Sequence, residues 1–476
     1  MSLTVPLIIN GQEIQTSTTF DVVNPATLEV LWKSSTASVK DAAAAADAAQ
    51  AAFPAWASTK PAARRNILIK AAEIFESRSA QYSEYMNTET GSTPDWADNA
   101  TIPSAWDMIR DTAGRIITFT STVPVMRDES THGIIYKEPY GVVLGIAPWN
   151  CPYHLGIRAI IFALATGNTV ILKGSELSPR CFWSIVSVFQ EAGLPDGVLN
   201  FLTCRPEDAA ATTKALIEHP AVRKVNFTGS THIGRIVASL CGQNIKPCLL
   251  ELGGKAGAIV FEDADIQNAA FQCAIGAFLH SGQICMATEK LIVHKSIAPA
   301  FGNALAAIVG QIFAQSHPAP VCVTKAGPEK NHRLVSDALS KGASLLVGNT
   351  TKEESATRMR PIVVEGVTSN MDIYSEESFG PTVSLITFET EAEAIKLIND
   401  TEYGLSAAVF TKNLDVGLRV ARSIESGAVH INKMTVFDDP SVPHGGVKSS
   451  GYGRFNGDFG LAEFLKTKSV TWTSGS

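Results

Sequence analysis

The sequence has no uninterrupted apolar run of bilayer-spanning length, which excludes a transmembrane helix. It has no basic tract either. Lys and Arg number 39 against 46 Asp and Glu, a formal net charge of −7, so no nucleic-acid partner and no membrane-surface role is expected. Met1-Ser2-Leu3-Thr4-Val5-Pro6 lacks the basic start and apolar stretch of a secretory signal, and a cytoplasmic protein is expected. Cysteine is present but unpatterned. The eight residues, at 151, 181, 204, 241, 248, 273, 285 and 322, include no CxxC pair and no Cys/His cluster with zinc spacing. They read as reduced thiols, and no metal is expected. No internal repeat and no Pro- or Ser-rich linker divides the chain.

What is present is a long globular chain. Its 476 residues exceed one ordinary core, so two or three domains are expected. At 45% hydrophobic and 18% charged it is not disordered. Leu7 to Ile14 reads as a hairpin turning at Asn10-Gly11. Helices are predicted from Ser38 to Ala52 and, in one stretch, from Ala62 to Met86. Beyond residue 133 short apolar strands alternate with helices. The strands are Ile134 to Pro139, Gly141 to Ala147, Thr169 to Lys173, Val198 to Leu202 and Arg223 to Phe227; the helices are Gly156 to Ala165, Cys181 to Ala192 and one from Thr231. This alternation predicts a parallel sheet covered by helices, with ligands at the carboxyl ends of the strands. A second α/β alternation runs from Ala256 to Gly427. A last strand, Lys468 to Trp472, needs a partner, either in this chain or in another subunit.

Several loops after strands carry chemistry. Cys285 follows a helical run, Asp265 to Leu279, that ends at Ser281-Gly282. A thiol on such a turn faces a cleft if it is a nucleophile; most cysteines are instead small buried hydrophobes. Glu251 precedes Gly253-Gly254 and is a candidate general base, or a surface Glu before a turn. Asn150, at the end of an apolar strand, offers an amide to a developing oxyanion, or is a common loop residue. Phe227-Thr228-Gly229-Ser230 leads into a helix, where free N–H groups favour pyrophosphate; an ordinary capped turn is the rival. Lys173 and Glu176 suit ribose hydroxyls, and a carboxylate at 176 repels a 2′-phosphate, favouring NAD over NADP. Glu377 suits a second ribose, and Phe379 the back of a nicotinamide ring.

Together these residues resemble the aldehyde dehydrogenase superfamily along nearly the whole chain. The most specific pieces are Pro148-Trp149-Asn150, Phe227-Thr228-Gly229-Ser230, Glu251-Leu252-Gly253-Gly254-Lys255, Gly282-Gln283-Ile284-Cys285 and Glu377-Ser378-Phe379-Gly380-Pro381. The resemblance implies Cys285 as nucleophile, Glu251 as general base, and Asn150 with the Cys285 N–H as oxyanion hole. It implies cofactor contacts at Ile146, Ala147, Pro148, Trp149, Lys173, Ser175, Glu176, Phe227, Thr228, Gly229, Ser230, Ile233, Leu252, Gly253, Glu377 and Phe379. The implied fold is α/β: a Rossmann-type NAD-binding domain (1–120 and 140–253), an α/β catalytic domain (254–448), and a small β segment for oligomerisation (121–139 and 449–476).

Finer features, Asn150 to Ile160, Ile431 to Asp439 and Lys448 to Phe455, resemble the salicylaldehyde and vanillin dehydrogenase subgroup, where an Arg occupies the position of Arg158. Two departures stand out. The segment from Gln315 to Gly327 is short and rich in Pro and Cys, and Phe437 and His444 stand where His and Phe are expected. Candidate substrate-pocket residues are Tyr153, Leu155, Arg158, Ile284, Met286 and Phe437, which combine flat and apolar walls with one permanent cation. The expected activity is NAD-dependent oxidation of an aldehyde, aromatic by the subgroup resemblance, in a homodimer or homotetramer. The rivals are an aliphatic aldehyde or semialdehyde substrate, a coenzyme A-acylating relative, and a non-catalytic one.

Overall fold

Strands rich in Val, Ile and Leu between 142 and 251 build most of an eight-stranded sheet. Its order is Gly451–Tyr452, Cys248–Glu251, Val222–Thr228, Val142–Ile146, Thr169–Lys173, Leu199–Leu202, Leu7–Ile9, Gln12–Ile14. The computed structural model describes residues 3–313 and 316–473; Gln315, at the start of the shortened segment, lies outside the described residues. The five central strands are parallel. Val142–Ile146 and Thr169–Lys173 are buried along their whole length, as strands covered on both faces must be. The chain lays Thr169–Lys173 and Leu199–Leu202 on one side of Val142–Ile146, then crosses to place Val222–Thr228 on the other. The crevice between Val142–Ile146 and Val222–Thr228 is therefore the switch point, where ligands bind beyond the carboxyl ends. The registers Phe227↔Ile146, Ile146↔Lys173 and Thr228↔Glu251 bring those ends level.

A second sheet of seven strands runs Ser344–Val347, Ile362–Glu365, Thr382–Phe388, Thr288–His294, Ala256–Val260, Ser406–Phe410, Ala428–Ile431. All neighbours are parallel except the antiparallel Ser344–Val347 edge. The link from Glu251 to Ala256 passes from the first sheet to the second. Gly451–Tyr452 joins the first sheet beside Cys248–Glu251.

The terminal strand, Leu465–Thr473, finds its partner within the chain, pairing antiparallel with Thr131–Pro139. The Asn10-Gly11 hairpin forms as expected, with both residues left-handed (φ 51° and 78°). The single helix predicted from Ala62 to Met86 is two, Pro61–Ser77 and Ser79–Thr90, broken at Arg78. Serines on both sides of the break bond back to carbonyls of the preceding turn, Ser77 Oγ to Ile74 O (2.8 Å) and Ser79 Oγ to Glu76 O (2.7 Å). The helix expected from Gly156 begins a turn earlier, as Pro152–Ala165, with proline in its first turn and every residue buried.

Candidate active site

The cysteine loop is strained and is held in place by hydrogen bonds, most of them from distant residues. The Ile266–Phe278 helix is capped by Asp265, whose carboxylate accepts from the N–H groups of Gln267 and Asn268. Past its end, His280, Ser281 and Gly282 are all left-handed, with φ of 48°, 58° and 70°. Only the last is free of a steric penalty. Ser281 Oγ donates to Val321 O (2.9 Å), Gln283 Nε2 to His280 O (3.1 Å) and Thr435 Oγ1 to Met286 O (2.7 Å). Two glycines permit the packing. A Cβ at Gly282 would fall 2.2 Å from Gly380 O, and one at Gly254 would fall 2.4 Å from Cys285 O.

This loop, the end of Val142–Ile146 and the end of Cys248–Glu251 bring together Cys285, Asn150 and Glu251. The Cys285 thiol donates to Glu251 Oε1 at 3.3 Å. Asn150 Nδ2 donates to Gln283 O (2.9 Å), which fixes the amide beside the cysteine and leaves its second N–H pointing elsewhere. Burial pushes the thiol well above its usual range, and the Glu251 carboxylate adds to this. Burial also acts to raise Glu251, but the His444 imidazole, the Arg158 guanidinium and the Cys285 thiol outweigh it and hold the carboxyl below the usual range. The resting pair is therefore a thiol hydrogen-bonded to a carboxylate.

Two cavities meet at Cys285, Asn150 and Leu155. One, of about 290 Å³, opens at the switch point of the first sheet. Pro148, Trp149, Thr228, Gly229, Ser230, Glu251, Leu252, Gly253, Glu377 and Phe379 line it, all of them cofactor or base candidates, together with Lys330. Ser230 also caps the helix from Thr231, accepting from Ile233 N, so the capped-turn reading and the cavity-lining one both describe this residue. Trp149 and Phe379 stand edge to face, 6.0 Å between centroids. Glu289 fixes the Phe379 turn by accepting from the N–H groups of Ser378 and Phe379. Glu377 Oε1 accepts from Gly254 N (2.8 Å), and burial with the charge of Glu289 pushes its carboxyl up to about 7. A Cβ at Gly253 would fall 2.7 Å from that carboxylate, so only glycine leaves this cradle open. Ile146, Ala147, Lys173, Ser175, Glu176, Phe227 and Ile233 do not line the cavity. They lie at the carboxyl ends of the same strands or on the first turn of the following helix, with Glu176 half-buried.

The other cavity, of about 220 Å³, has walls of Trp96, Ala100, Leu155, Ile284, Met286, Met434, Val436 and Phe437. Five of the six substrate-pocket candidates line it. Tyr153 does not: its ring is fully buried against Phe75 and Tyr82, with centroids 5.3 and 5.4 Å away. On the Pro152–Ala165 helix Tyr153 points into the core while His154 and Arg158, four residues apart, share the cavity-facing side.

Arg158 is buried and faces the cavity, and it is also paired with two carboxylates. Nη1 donates to Glu251 Oε2 (3.0 Å), and Nη2 meets Asp438 Oδ2. Its plane lies over Phe455 at 5.6 Å. His154 joins the cluster, with Nε2 2.9 Å from Asp438 and Nδ1 2.8 Å from Ser104 Oγ. Burial first, then the Arg158 charge, pushes His154 well below its usual range, so the ring is neutral. Asn456 Nδ2 donates to Asp438 Oδ1 (2.7 Å).

Trp96, Ser104, His154, Asp438, Met434 and Lys330 were not among the candidates. For His154 a signal existed in its i, i+4 spacing to Arg158 on an apolar helix. Trp96 and Ser104 come from helices far from any motif, and only the fold brings them here.

A model of the aldehyde dehydrogenase family matches residues 12–470. The chain is 43% identical to a vanillin dehydrogenase of Pseudomonas fluorescens, covering 99% of this chain and 98% of that one. It superposes with a TM-score of 0.95 on a salicylaldehyde dehydrogenase from Pseudomonas putida G7 complexed with salicylaldehyde, at 38% identity over 100% of this chain and 99% of the other. An NAD-dependent aldehyde dehydrogenase from Sinorhizobium meliloti matches with the same TM-score, 0.95, at 31% identity over 100% and 96%.

Proposed function

The chain belongs to the aldehyde dehydrogenase family, and from that premise we propose that it oxidises an aromatic aldehyde to the carboxylic acid, with NAD as hydride acceptor and Cys285 as nucleophile. The observation that carries this reading is the station of Cys285 in the wall shared by two cavities, one apolar and aromatic, the other at a nucleotide-type switch point.

The geometry supports a role for each group. The Cys285 sulfur adds to the carbonyl carbon as its proton passes to Glu251 Oε1, 3.3 Å away. The free N–H of the Asn150 amide and the Cys285 backbone N–H hold the oxyanion. Trp149, Gly229, Ser230, Glu377 and Phe379 would hold NAD in the switch-point cavity, where it would supply the hydride acceptor whose use leaves a thioester on Cys285. Glu251 gives that proton up to solvent, then takes one from water as hydroxide adds to the thioester; the acid departs, and the sulfur leaves as a thiolate that regains its proton from Glu251. A carboxylate retained at 251 favours water over coenzyme A as acyl acceptor. NAD is supported by the Glu377 cradle beneath Gly253, by the paired Trp149 and Phe379 rings, and by the S. meliloti relative. Lys173 and Glu176 suit the adenosine ribose at the neighbouring strand end. The vanillin and salicylaldehyde relatives support an aromatic substrate, and so do the flat and apolar walls.

The same reading assigns 1–120 and 140–253 to the NAD-binding domain, 254–448 to the catalytic domain, and 121–139 with 449–476 to a bridging segment. The ribbon of Thr131–Pro139 and Leu465–Thr473 exposes Tyr136, Val470 and Trp472, which supports a homodimer or homotetramer. Among the described residues no helix is long and apolar enough to cross a membrane, and the chain is read as cytoplasmic.

The test is NADH formation by the purified protein with benzaldehyde, salicylaldehyde and vanillin against acetaldehyde and propionaldehyde, with and without coenzyme A. Higher kcat/KM for the aromatic set, independent of coenzyme A, is expected. Equal rates with acetaldehyde would refute the aromatic assignment alone. No NADH with any aldehyde would refute the whole reading.

A further inference from the structure

An imidazole lies against the far side of the proposed base. His444 is buried, with 5% of its side chain exposed. Its backbone is pinned to Phe455 by a pair of bonds, N to O at 3.0 Å and O from N at 2.8 Å. The ring therefore has a fixed station. Nε2 lies 3.4 Å from Glu251 Oε1, and Nδ1 lies 3.8 Å from Asp438 Oδ1. Nε2 has no other partner and is not well aligned on this one. A histidine kept only for packing normally has its buried nitrogens satisfied.

The four groups on Glu251 divide between its oxygens. Oε2 receives Arg158 Nη1 (3.0 Å) and Thr228 Oγ1 (3.4 Å). Oε1 receives the Cys285 thiol and faces His444. The oxygen turned to the nucleophile is thus the one the imidazole shares. Arg158 and Thr228 keep one charge state across the working pH range. Imidazole does not.

We propose that His444 is a positioning residue for thioester hydrolysis: its neutral Nε2–H steers Oε1 of Glu251 toward Cys285 and the attacking water, and its protonation locks that oxygen into an ion pair and stops the step. This rests on Glu251 being the general base. Every charged group packed around the ring bears on it. Burial, Arg158 and Arg454 oppose its protonation, Glu251 favours it, and the net effect is a lowered pKa. Asp438 faces Nδ1 but is already engaged by Arg158, His154 and Asn456. His154 is held lower still, by burial and Arg158, and His430 is pushed to about 4, so neither competes as pH falls from 7. At pH 7 His444 is neutral and its Nε2 stands 3.4 Å from Oε1 without a formed hydrogen bond, a contact that water can displace. As pH falls through its lowered pKa the ring becomes cationic, the contact becomes an ion pair, and Glu251 loses what basicity it has.

The test is the pH dependence of kcat between 5 and 8, with the NADH burst recorded by stopped flow, for wild type, His444→Gln and His444→Phe. Gln keeps an N–H for Oε1 and cannot titrate. In wild type the steady rate falls about tenfold per pH unit on the acid side while the burst persists. His444→Gln loses that acid limb, at a cost of about threefold in kcat at pH 7.5. His444→Phe lowers the steady rate about tenfold at pH 7.5 and leaves the burst amplitude in place. An acid limb unchanged in His444→Gln overturns the proposal, and so does an equal loss of burst and steady rate in a folded variant. If the Phe variant does not fold, the Gln variant decides alone. Failure of the Glu251 reading looks different: Glu251→Gln would then retain full steady turnover, whatever the histidine does.

Discussion

Apart from Lys330 and Leu155, the switch-point cavity is assembled from turns lying within a few residues of a strand end, whereas the cavity on the other side of Cys285 takes its walls from four separated stretches, 96–104, 150–158, 284–286 and 434–438. The first uses glycine, backbone N–H groups and two rings set edge to face. The second uses apolar side chains around a buried cluster in which Arg158 pairs with Asp438 and Glu251 and the neutral His154 ring bonds Asp438. A cavity made from turns is rigid because its backbone is. A cavity made from charges is rigid only while every charge keeps its partner, since a lone buried ion is costly. The two halves should therefore respond differently to mutation and to pH.

Removing the shared atom gives the largest effect. Cys285→Ala should lower aldehyde oxidation by about 10³-fold or more while NAD affinity, measured by fluorescence titration, stays within about twofold. Parallel loss of both would mean that the cavities are not independent. Glu251→Gln should preserve a burst of NADH and reduce steady turnover about 10²- to 10⁴-fold; an undiminished steady rate would show that another group activates water.

Arg158→Ala strikes the charged half and, through Glu251, the wall it shares with the other. It strands Glu251 and Asp438 and should cost about 3–5 kcal/mol in denaturant unfolding, together with activity toward aromatic aldehydes. A loss below about 1 kcal/mol, the range of exposed pairs, would contradict the account of a buried cluster.

The turn-built half should show its own pH response through Glu377. With its carboxyl raised to about 7, this group is largely protonated at pH 6 and ionised at pH 8. Only the ionised form accepts two ribose hydroxyls, so NAD should bind tighter by up to about tenfold across that interval. Glu377→Gln should flatten the dependence, and a wild-type affinity that falls as pH rises would have the wrong sign. The smallest effect is expected at Glu176, outside the cavity proper. Glu176→Gln should raise kcat/KM with NADP relative to NAD by about fivefold; a wild type that already prefers NADP would contradict the role given to this carboxylate.

The legibility of the sequence follows the same division. Residues such as Asn10 and Gly11 carry their conformational requirements in their own identity, and the apolar strands declare themselves by composition, so the parallel sheet and its ligand edge could be anticipated. Asn150, Glu251 and Cys285 each sit within three residues of a strand or helix end, and all three converge. Tyr153 misled because a start at Gly156 placed it on a loop; with the helix beginning at Pro152, the turn rotates it into the core. Arg158 was legible as a pocket-side cation, but its two carboxylate partners lie 93 and 280 positions away, beyond any local pattern. His444 was visible only as an oddity of residue type, since its meaning depends on an atom of Glu251 that the fold alone delivers.

One consequence of the cysteine loop concerns the order in which the protein is made. Left-handed backbone at His280 and Ser281 is not self-sustaining; it is secured through Val321 and Thr435, both downstream. When Cys285 leaves the ribosome neither tether exists, nor do Asp438 and His444. The nascent chain thus carries an ordinary, accessible thiol for about 160 residues of synthesis, roughly ten to thirty seconds at common elongation rates. Its vulnerability to oxidants is greatest in that interval; in the folded protein the half-buried sulfur is reached only through two cavities and is held as a thiol bonded to Glu251.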